Sequence, residues 1–384
     1  MTRDQRRHVR AFAFFGALLR PWMRLLLRFR GERIPDPGGP VFVLCNHNTD
    51  LDCILLGLSA HRQIYFVATE TIARMGLLGK LVKRYFDPIL HRKGVQGAAT
   101  VRAILSRIRD GFSVALFPEG NRSFNGQTCP IPPATGKLAR MCGATLITYR
   151  LTGGYLTSPR WGRGLRRGKM TGAVVGVYSP ETLKAMSAGE VQALIERDLW
   201  TDAYEEQASA PVPFRGKARA EHLESMLFRC PRCGKFGTLR SKKHRLFCDC
   251  GFDAVFTEYG MLESAGGERY TVTELDRLQR ASFAALPEAG CLFSDGAMLR
   301  YIGKTHEVIS EHPVTLRAFR DRLELNEPMP LAEIDAMSIV QRNRLLIYPA
   351  GNDGHLEITG APGFNALKYL YLFRLTRPSV NGSL

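Results

Sequence analysis

The chain has 384 residues, 45% of them hydrophobic and 23% charged, with a formal net charge of +17. That is too long for one compact core and too apolar for a disordered chain, so two or three domains are expected. The positive excess calls for an anionic partner, nucleic acid or acidic lipid, and composition does not separate the two.

The first thirty residues set eight arginines among Phe12, Phe14, Phe15, Leu18, Leu19, Trp22, Met23, Leu25, Leu26, Leu27 and Phe29. The longest uncharged run, 11–19, falls far short of the roughly 20 residues that span a bilayer, and no small-residue cleavage site precedes Arg20. The mixture predicts one or two helices lying in a membrane interface over 1–32, with Pro21 as a break or a second start. The alternative is a terminal helix docked on the protein's own core. The interfacial reading places the protein on the cytoplasmic face of the cell membrane, peripheral or monotopic, with an anionic membrane surface as a partner. Nine cysteines, an odd number with four in one tight group, argue against a disulfide framework and for the cytoplasm.

From 40 to 178, short apolar runs alternate with stretches of helical period. Strands are predicted over 41–45, 64–68, 113–117, 144–151 and 173–178, and helices over 51–59, 76–85 and 98–110. The alternation predicts an α/β domain, spanning 33–210, with a mostly parallel sheet flanked by helices. In such sheets functional residues collect in loops at the carboxyl ends of strands.

The stretch VFVLCNHNTDLDCILLGL, 41–58, is such a place. Leu51, Ile54, Leu55 and Leu58 share one helical face, so a helix starts near Asp50 and His47 falls in the preceding loop. On one continuous helix His47 and Asp52 would point about 140° apart. With His47 outside the helix they can meet, and the carboxylate could then fix the imidazole tautomer and leave its other nitrogen free as a base. The competing reading is a capping box, T-x-x-D from Thr49 to Asp52. The spacing alone does not decide, because H-x4-D recurs from His244 to Asp249.

A second polar loop follows another apolar strand in SVALFPEGNRSFNG, 113–126. Gly120 allows close approach to a ligand, and Arg122 offers a planar fork for phosphate. Glu119 could orient that arginine, accept a hydrogen bond from a substrate hydroxyl, or simply pair with Arg122 in a turn. Between the two loops, FDPILHRKG ends an apolar stretch in His91, Arg92 and Lys93.

Together NHNTDLD and FPEGNRS resemble the first and third blocks of the PlsC-type glycerolipid acyltransferases, which include 1-acylglycerol-3-phosphate acyltransferases. Arg92 matches the arginine of the second block, and GATLITYRLTGG, 143–154, stands in the place of the fourth. The resemblance covers roughly 40–178. It implies transfer of an acyl group from acyl-CoA or acyl carrier protein to a lysophospholipid hydroxyl, most directly 1-acylglycerol 3-phosphate to give phosphatidic acid, without a catalytic cofactor. His47 would be the general base and Asp52 its orienting partner. Arg92, Glu119, Gly120 and Arg122 would hold the acceptor's phosphate and glycerol, and the fourth block would line the acyl side. Two departures bear on substrate preference: Thr148 and Tyr149 replace a proline usual in the fourth block, and the region of Thr69 replaces a lysine. A further loop, SPRWGRGLRRGKM at 158–170, sets Trp161 among basic residues and could meet lipid phosphates or a carrier protein.

A helical stretch follows over 179–207, and the prolines of APVPFRG, 210–216, mark a linker. Cys230, Cys233, Cys248 and Cys250 then form C-x2-C and C-x-C knuckles, each followed by glycine. Four thiolates in this pattern fit a structural zinc, and the segment 211–258 resembles a zinc ribbon. From 259 to 384 a helix, several strand-like pieces and a closing helix predict a small β-rich module of the pleckstrin-homology kind. A basic zinc-ribbon protein acting on nucleic acid is the competing class. The arginines lie among aromatic and aliphatic residues at the N-terminus, and the two family blocks have no use in such a binder, so no nucleic acid is expected.

Overall fold

The computed structural model describes residues 2–69, 76–91, 97–304, 307–352, 354–360 and 363–376. Two compact units divide the chain, the first built on Met1–Pro159 with Arg167–Phe214 and the second on Arg160–Arg166 with Arg215–Asn381. The boundary after Phe214 falls within the proline-bearing segment 210–216.

The first unit opens with α1 (Arg3–Leu27), started by a capping box between Thr2 and Gln5. It is one helix that passes through Pro21, where two helices or a break were the sequence expectation. His8, Ala11, Met23 and Leu27 are buried, whereas Phe14, Leu18, Trp22 and Leu25 stay exposed. Core docking and an outward apolar face therefore coexist on it.

There follow β1 (Arg30–Gly31), β2 (Val41–Cys45), α2 (Asp52–Ser59), β3 (Ile64–Thr69), α3 (Gly76–Phe86), β4 (Ile89–His91), α4 (Ala98–Arg109), β5 (Ser113–Leu116), α5 (Ala134–Cys142), β6 (Thr145–Thr152), the short α6 (Gly154–Thr157) and β7 (Thr171–Tyr178). Helices α7 (Pro180–Ala185), α8 (Ala188–Leu199) and α9 (Ala203–Ser209) close the unit. Among the described residues the strands form one sheet in the order β1-β7-β6-β2-β5-β3-β4. The pairings β6·β2, β2·β5, β5·β3 and β3·β4 are parallel, and β7 runs antiparallel to β6.

Period-two alternation sorts the core into two layers. Phe42, Leu44, Val114, Leu116 and Leu146 face α4, α5 and α8 through Ile104, Leu138 and Ile195. Val41, Val43, Cys45, Ala115, Ile147 and Tyr149 face α1 and α2 through Met23, Leu27, Leu55 and Leu56. Central strands buried on both faces fit the mostly parallel, helix-flanked sheet expected from sequence.

The second unit contains two antiparallel sheets. The first consists of β8 (Leu239–Lys242), β9 (Arg245–Cys248), β10 (Asp253–Phe256), β11 (Leu262–Ser264) and β12 (Arg269–Tyr270); the second cysteine knuckle is at the end of β9 and the first precedes β8. After α10 (Val272–Ala281) come β13 (Phe293–Ile302), β14 (Val308–Ala318), β15 (Arg322–Glu324), β16 (Pro328–Pro330), β17 (Ile334–Val340), β18 (Arg344–Pro349) and β19 (His355–Gly360). They pair in the order β16-β15-β14-β13-β19-β18-β17, and α11 (Ala366–Thr376) packs on β17 and β18.

Ribbon and β module share a core. Phe228 and Phe236 of the ribbon stack on each other and meet Phe283 edge-on, and Phe293 and Tyr371 complete the group. Gln279 binds the chain at both ends of the contact, accepting from Phe228 N and donating to Met226 O. The loop at 158–170 contributes a strap to this unit: Trp161 and Arg166 are buried, and Arg166 lies over the rings of Trp161 and Phe256. Arg160 is buried too and donates to Gln341 O. These three side chains are therefore packing elements, and the expectation that they meet lipid phosphates or a carrier protein is corrected. Their charge is offset by carbonyls and ring faces that lie far away in sequence.

Candidate active site

Strand β2 ends at Cys45 beside β5 on one side and β6 on the other, so its following loop is bounded by both neighbours. The pairing Leu44↔Leu116 projects forward to His47 opposite Glu119. There the His47 N–H donates to Glu119 Oε1 at 2.7 Å, and the His47 carbonyl accepts from Ser123 N at 2.9 Å. On the other side, Asn46 forms a two-way pair with the Leu151 backbone, at 2.8 and 2.7 Å. The first polar loop is thus stitched to the third and fourth sequence blocks through backbone bonds on either side of one histidine.

The imidazole is held as firmly as its backbone. His47 Nδ1 lies 2.9 Å from Asp52 Oδ2, and the ring rests against Phe117 at 4.7 Å between centroids. Asp52 is fully buried at the first residue of α2. The same Oδ2 accepts from Asn48 N at 2.6 Å and Thr49 N at 2.8 Å, and Oδ1 accepts from the Thr49 hydroxyl at 2.7 Å. One carboxylate thus meets both the imidazole and the amides ahead of α2, while Leu51, the N-cap of that helix, makes no side-chain cap bond, so the capping box expected from Thr49 is not formed. Such a set of donors is what a buried charge requires. With Asp52 on Nδ1, the Nδ1–H tautomer is fixed, and among the described residues nothing bonds Nε2.

Glu119 is buried, and its second oxygen accepts from Cys129 N at 2.6 Å. Burial pushes its carboxyl up to about 8, against the opposing pull of the Cys129 and His47 amides. Both oxygens are thus engaged by the backbone, and the arginine pairing expected of this residue goes elsewhere: Arg122 Nη1 meets Asp50 Oδ2 at 3.1 Å. Asp50 is 79% exposed, so its carboxylate can swing away and leave the guanidinium at the loop mouth. Gly120 is exposed with φ +62° and turns the chain between Phe117 and Arg122. The role expected of Arg92 falls on residues 92–96, outside the described residues.

In the fourth block, Thr148 and Tyr149 are both fully buried. Thr148 donates to Asp198 Oδ2 at 2.7 Å, and the Tyr149 hydroxyl meets Ser59 Oγ at 2.8 Å. Neither side chain is open to an acyl chain, which corrects the expectation for these two positions. Sequence reasoning did not give roles to Asn46, Phe117 and Ser123. For Asn46 a signal existed: an amide at the end of a strand buried on both faces must find backbone partners.

In the second unit, Cys230, Cys233, Cys248 and Cys250 converge, all four sulfurs lying within 4.8 Å of one another. The Cys230–Cys250 and Cys233–Cys248 pairs stand at 3.6 and 3.9 Å. Tetrahedral zinc with Zn–S bonds near 2.3 Å requires sulfur separations of about 3.8 Å, so the cluster fits that ion. Gly234 (φ +72°) and Gly251 (φ +90°) make the tight turns that close the two knuckles. His244 and Asp249 do not meet: His244 Nδ1 accepts from Arg219 N, and Asp249 faces Arg240 at 3.8 Å.

Residues 26–152 match the family model described as Acyltransferase. Among solved structures, the 1-acyl-sn-glycerophosphate (LPA) acyltransferase PlsC from Thermotoga maritima is similar at 20% identity. The match covers 55% of this chain and 85% of that one, with a TM-score of 0.43.

Proposed function

We propose that the acyltransferase domain of this chain moves a fatty acyl group from acyl-CoA or acyl carrier protein to the hydroxyl of a lysophospholipid, most directly 1-acylglycerol 3-phosphate. The observation that carries this reading is the 2.9 Å contact between His47 Nδ1 and the buried Asp52, with no bond on Nε2 among the described residues. A free alcohol is far too weakly acidic to ionise at neutral pH, so Nε2 takes its proton as the oxygen attacks the thioester carbonyl. The carbon–sulfur bond breaks, the thiolate leaves with the proton from the imidazolium, and the ester forms. Asp52 stabilises the imidazolium between these steps, the same division of labour as in a triad without its serine. Arg122, released from Asp50, suits the acceptor's phosphate, and Glu119 serves the reaction by fixing the His47 backbone.

The work site we assign is the cytoplasmic face of the cell membrane. No helix among the described residues is long and apolar enough to cross a membrane. Phe14, Leu18, Trp22 and Leu25 on α1 and Leu77, Leu78 and Leu81 on α3 are exposed apolar side chains, and α1 packs against α3. Such a face supports peripheral docking on lipid. For the four thiolates we assign a structural zinc, with every coordination position taken by sulfur and none left for chemistry.

Two experiments test these assignments. Purified protein is assayed with acyl-CoA and acyl carrier protein thioesters against a panel of lysophospholipids; transfer to 1-acylglycerol 3-phosphate supports the reading, and transfer to none of the panel refutes it. Metal analysis should find one zinc per chain, lost in Cys230→Ser with Cys250→Ser. A metal content unchanged by those substitutions refutes the zinc assignment.

A further inference from the structure

The C-terminal half of α1 has three faces. Met23 and Leu27 point into the core. Arg20 and Arg24, continued by the cap residue Arg28, form a row about 80° further round the helix. Exposed Leu18, Trp22 and Leu25 form a stripe about 120° beyond that row. The arginines therefore lie between the protein core and the side chains that we assign to the lipid surface.

Beside the row is a cavity of about 590 Å³, lined by Arg20, Arg24, Arg28, Arg30, Phe29 and the Leu58–Ser59 end of α2. Arg20 donates to Leu58 O at 3.2 Å. Among the described residues no carboxylate pairs with any of the four guanidinium groups. Four positive charges gathered without a counter-charge repel one another, and an anion in their midst relieves this. Their planar forks match phosphate oxygens. The cavity stands at the far end of α2 from His47, roughly 12 Å along that helix, so it is separate from the acceptor site at Arg122.

We infer that this cavity holds the phosphate headgroup of an anionic glycerophospholipid in the membrane on which α1 docks. The inference rests on the membrane-surface reading above. A phosphate seated there leaves the lipid's acyl chains beside Leu18, Trp22 and Leu25, a placement that a soluble phosphate compound would not use. The volume exceeds that of a lone phosphate and leaves room for the glycerol attached to it.

The test is binding of the full chain to phosphatidylcholine vesicles alone and with phosphatidic acid or phosphatidylserine. The variants are the exposed pair Arg24→Gln with Arg30→Gln, the same pair as lysine, and Trp22→Ala with Leu25→Ala. At about a factor of five for each arginine near a lipid surface, the glutamine pair should bind phosphatidic acid vesicles roughly 30-fold more weakly. The lysine pair should recover part of this loss, because it restores charge without the fork. Acyl transfer to a detergent-dispersed acceptor should stay within about twofold of wild type in both pairs, since vesicle capture is bypassed. Unchanged binding by the glutamine pair overturns the inference; if the Trp22 and Leu25 variant then loses binding, docking survives and the cavity assignment alone fails. An equal loss on phosphatidylserine vesicles agrees with the inference, because that lipid is also an anionic glycerophospholipid; full recovery of binding by the lysine pair on both vesicles would mean diffuse charge alone and overturns it. Inorganic phosphate bound without vesicles and abolished by the glutamine pair, with no preference for phosphatidic acid, assigns the cavity to a free anion and overturns the lipid source.

Discussion

Two stretches of the chain have the spacing H-x4-D. At His47 the spacing straddles the junction between the end of β2 and the first turn of α2, and the loop folds back so that the histidine and Asp52 meet at 2.9 Å. At His244 it straddles β9: the histidine sits in the turn between β8 and β9, Asp249 follows the strand, and four extended residues lie between them. An extended path of that length keeps the two groups roughly 16 Å apart along the chain direction. The same pair of residue types is therefore a candidate base and orienter in one setting and two unrelated surface groups in the other. Backbone geometry between the partners decides the chemistry, and the number of intervening residues does not.

Substitutions at the first pair test that comparison most severely. His47→Ala should lower kcat/KM for acyl transfer by about 10³-fold, within the range of general-base removal, with the fold retained by circular dichroism. A variant with full activity would sink the mechanism. Asp52→Asn should cost about 10²–10³-fold, because the amide can present its N–H₂ to Nδ1 and favour the wrong tautomer. It should also cost stability, about 1–3 kcal/mol in denaturant unfolding, since an N–H₂ presented to Nδ1 takes the place of Oδ2, the oxygen that accepts from both Asn48 N and Thr49 N.

Glu119 sharpens the comparison from the backbone side, because the second pair has no counterpart to it. Glu119→Gln should reduce kcat by about 10-fold with little change in KM, as one of its two backbone acceptors becomes a donor and the His47 loop loosens. Its pH signature separates this role from simple packing. The folded carboxyl is raised by burial to about 8. A raised folded pKa means that the native state holds the proton more tightly than the unfolded chain. The stability associated with that proton is full below about pH 4 and is lost as pH rises through about 8. Wild type should therefore show a downward slope of unfolding free energy over that window that Glu119→Gln lacks. Parallel pH profiles for the two proteins would refute the assignment.

Much of the first unit was legible because its signals are local. Alternating apolar runs located β2, β3, β5, β6 and β7 to within about two residues at each end, and the i, i+3, i+4, i+7 pattern located α2. The second unit was legible only in pieces. Its strands could be counted roughly, but β16 consists of Pro328, Met329 and Pro330, two of which have no N–H to give, and carries no strand propensity. The core that joins ribbon to module depends on Phe228, Phe236, Phe283 and Phe293, which share no periodicity. Trp161 and Arg166 read as a basic surface loop because the groups that bury them, Phe256 and the Arg219 carbonyl, enter about 50 residues or more later. In the candidate site, the meeting of His47 and Asp52 was legible from a polar break between buried segments. The engagement of Glu119 with the backbone was not, because it depends on the register between β2 and β5.

The smallest expected effect tests the second pair itself. Asp249 has a side chain 81% exposed, and its facing arginine stands 3.8 Å away and is 66% exposed, so Asp249→Asn should leave both activity and stability unchanged. His244→Ala removes the acceptor of the Arg219 N–H and should cost about 1 kcal/mol in unfolding, with acyl transfer within twofold of wild type. Burial lowers the His244 pKa, with Arg219 adding to the effect, so this imidazole holds its lone pair for the amide at neutral pH. Its loss is a matter of one hydrogen bond, whereas the loss of His47 removes an imidazole that Asp52 holds by Nδ1 and whose Nε2 has no bond among the described residues. A fall in turnover for His244→Ala as large as that for His47→Ala would mean that spacing carries the chemistry after all.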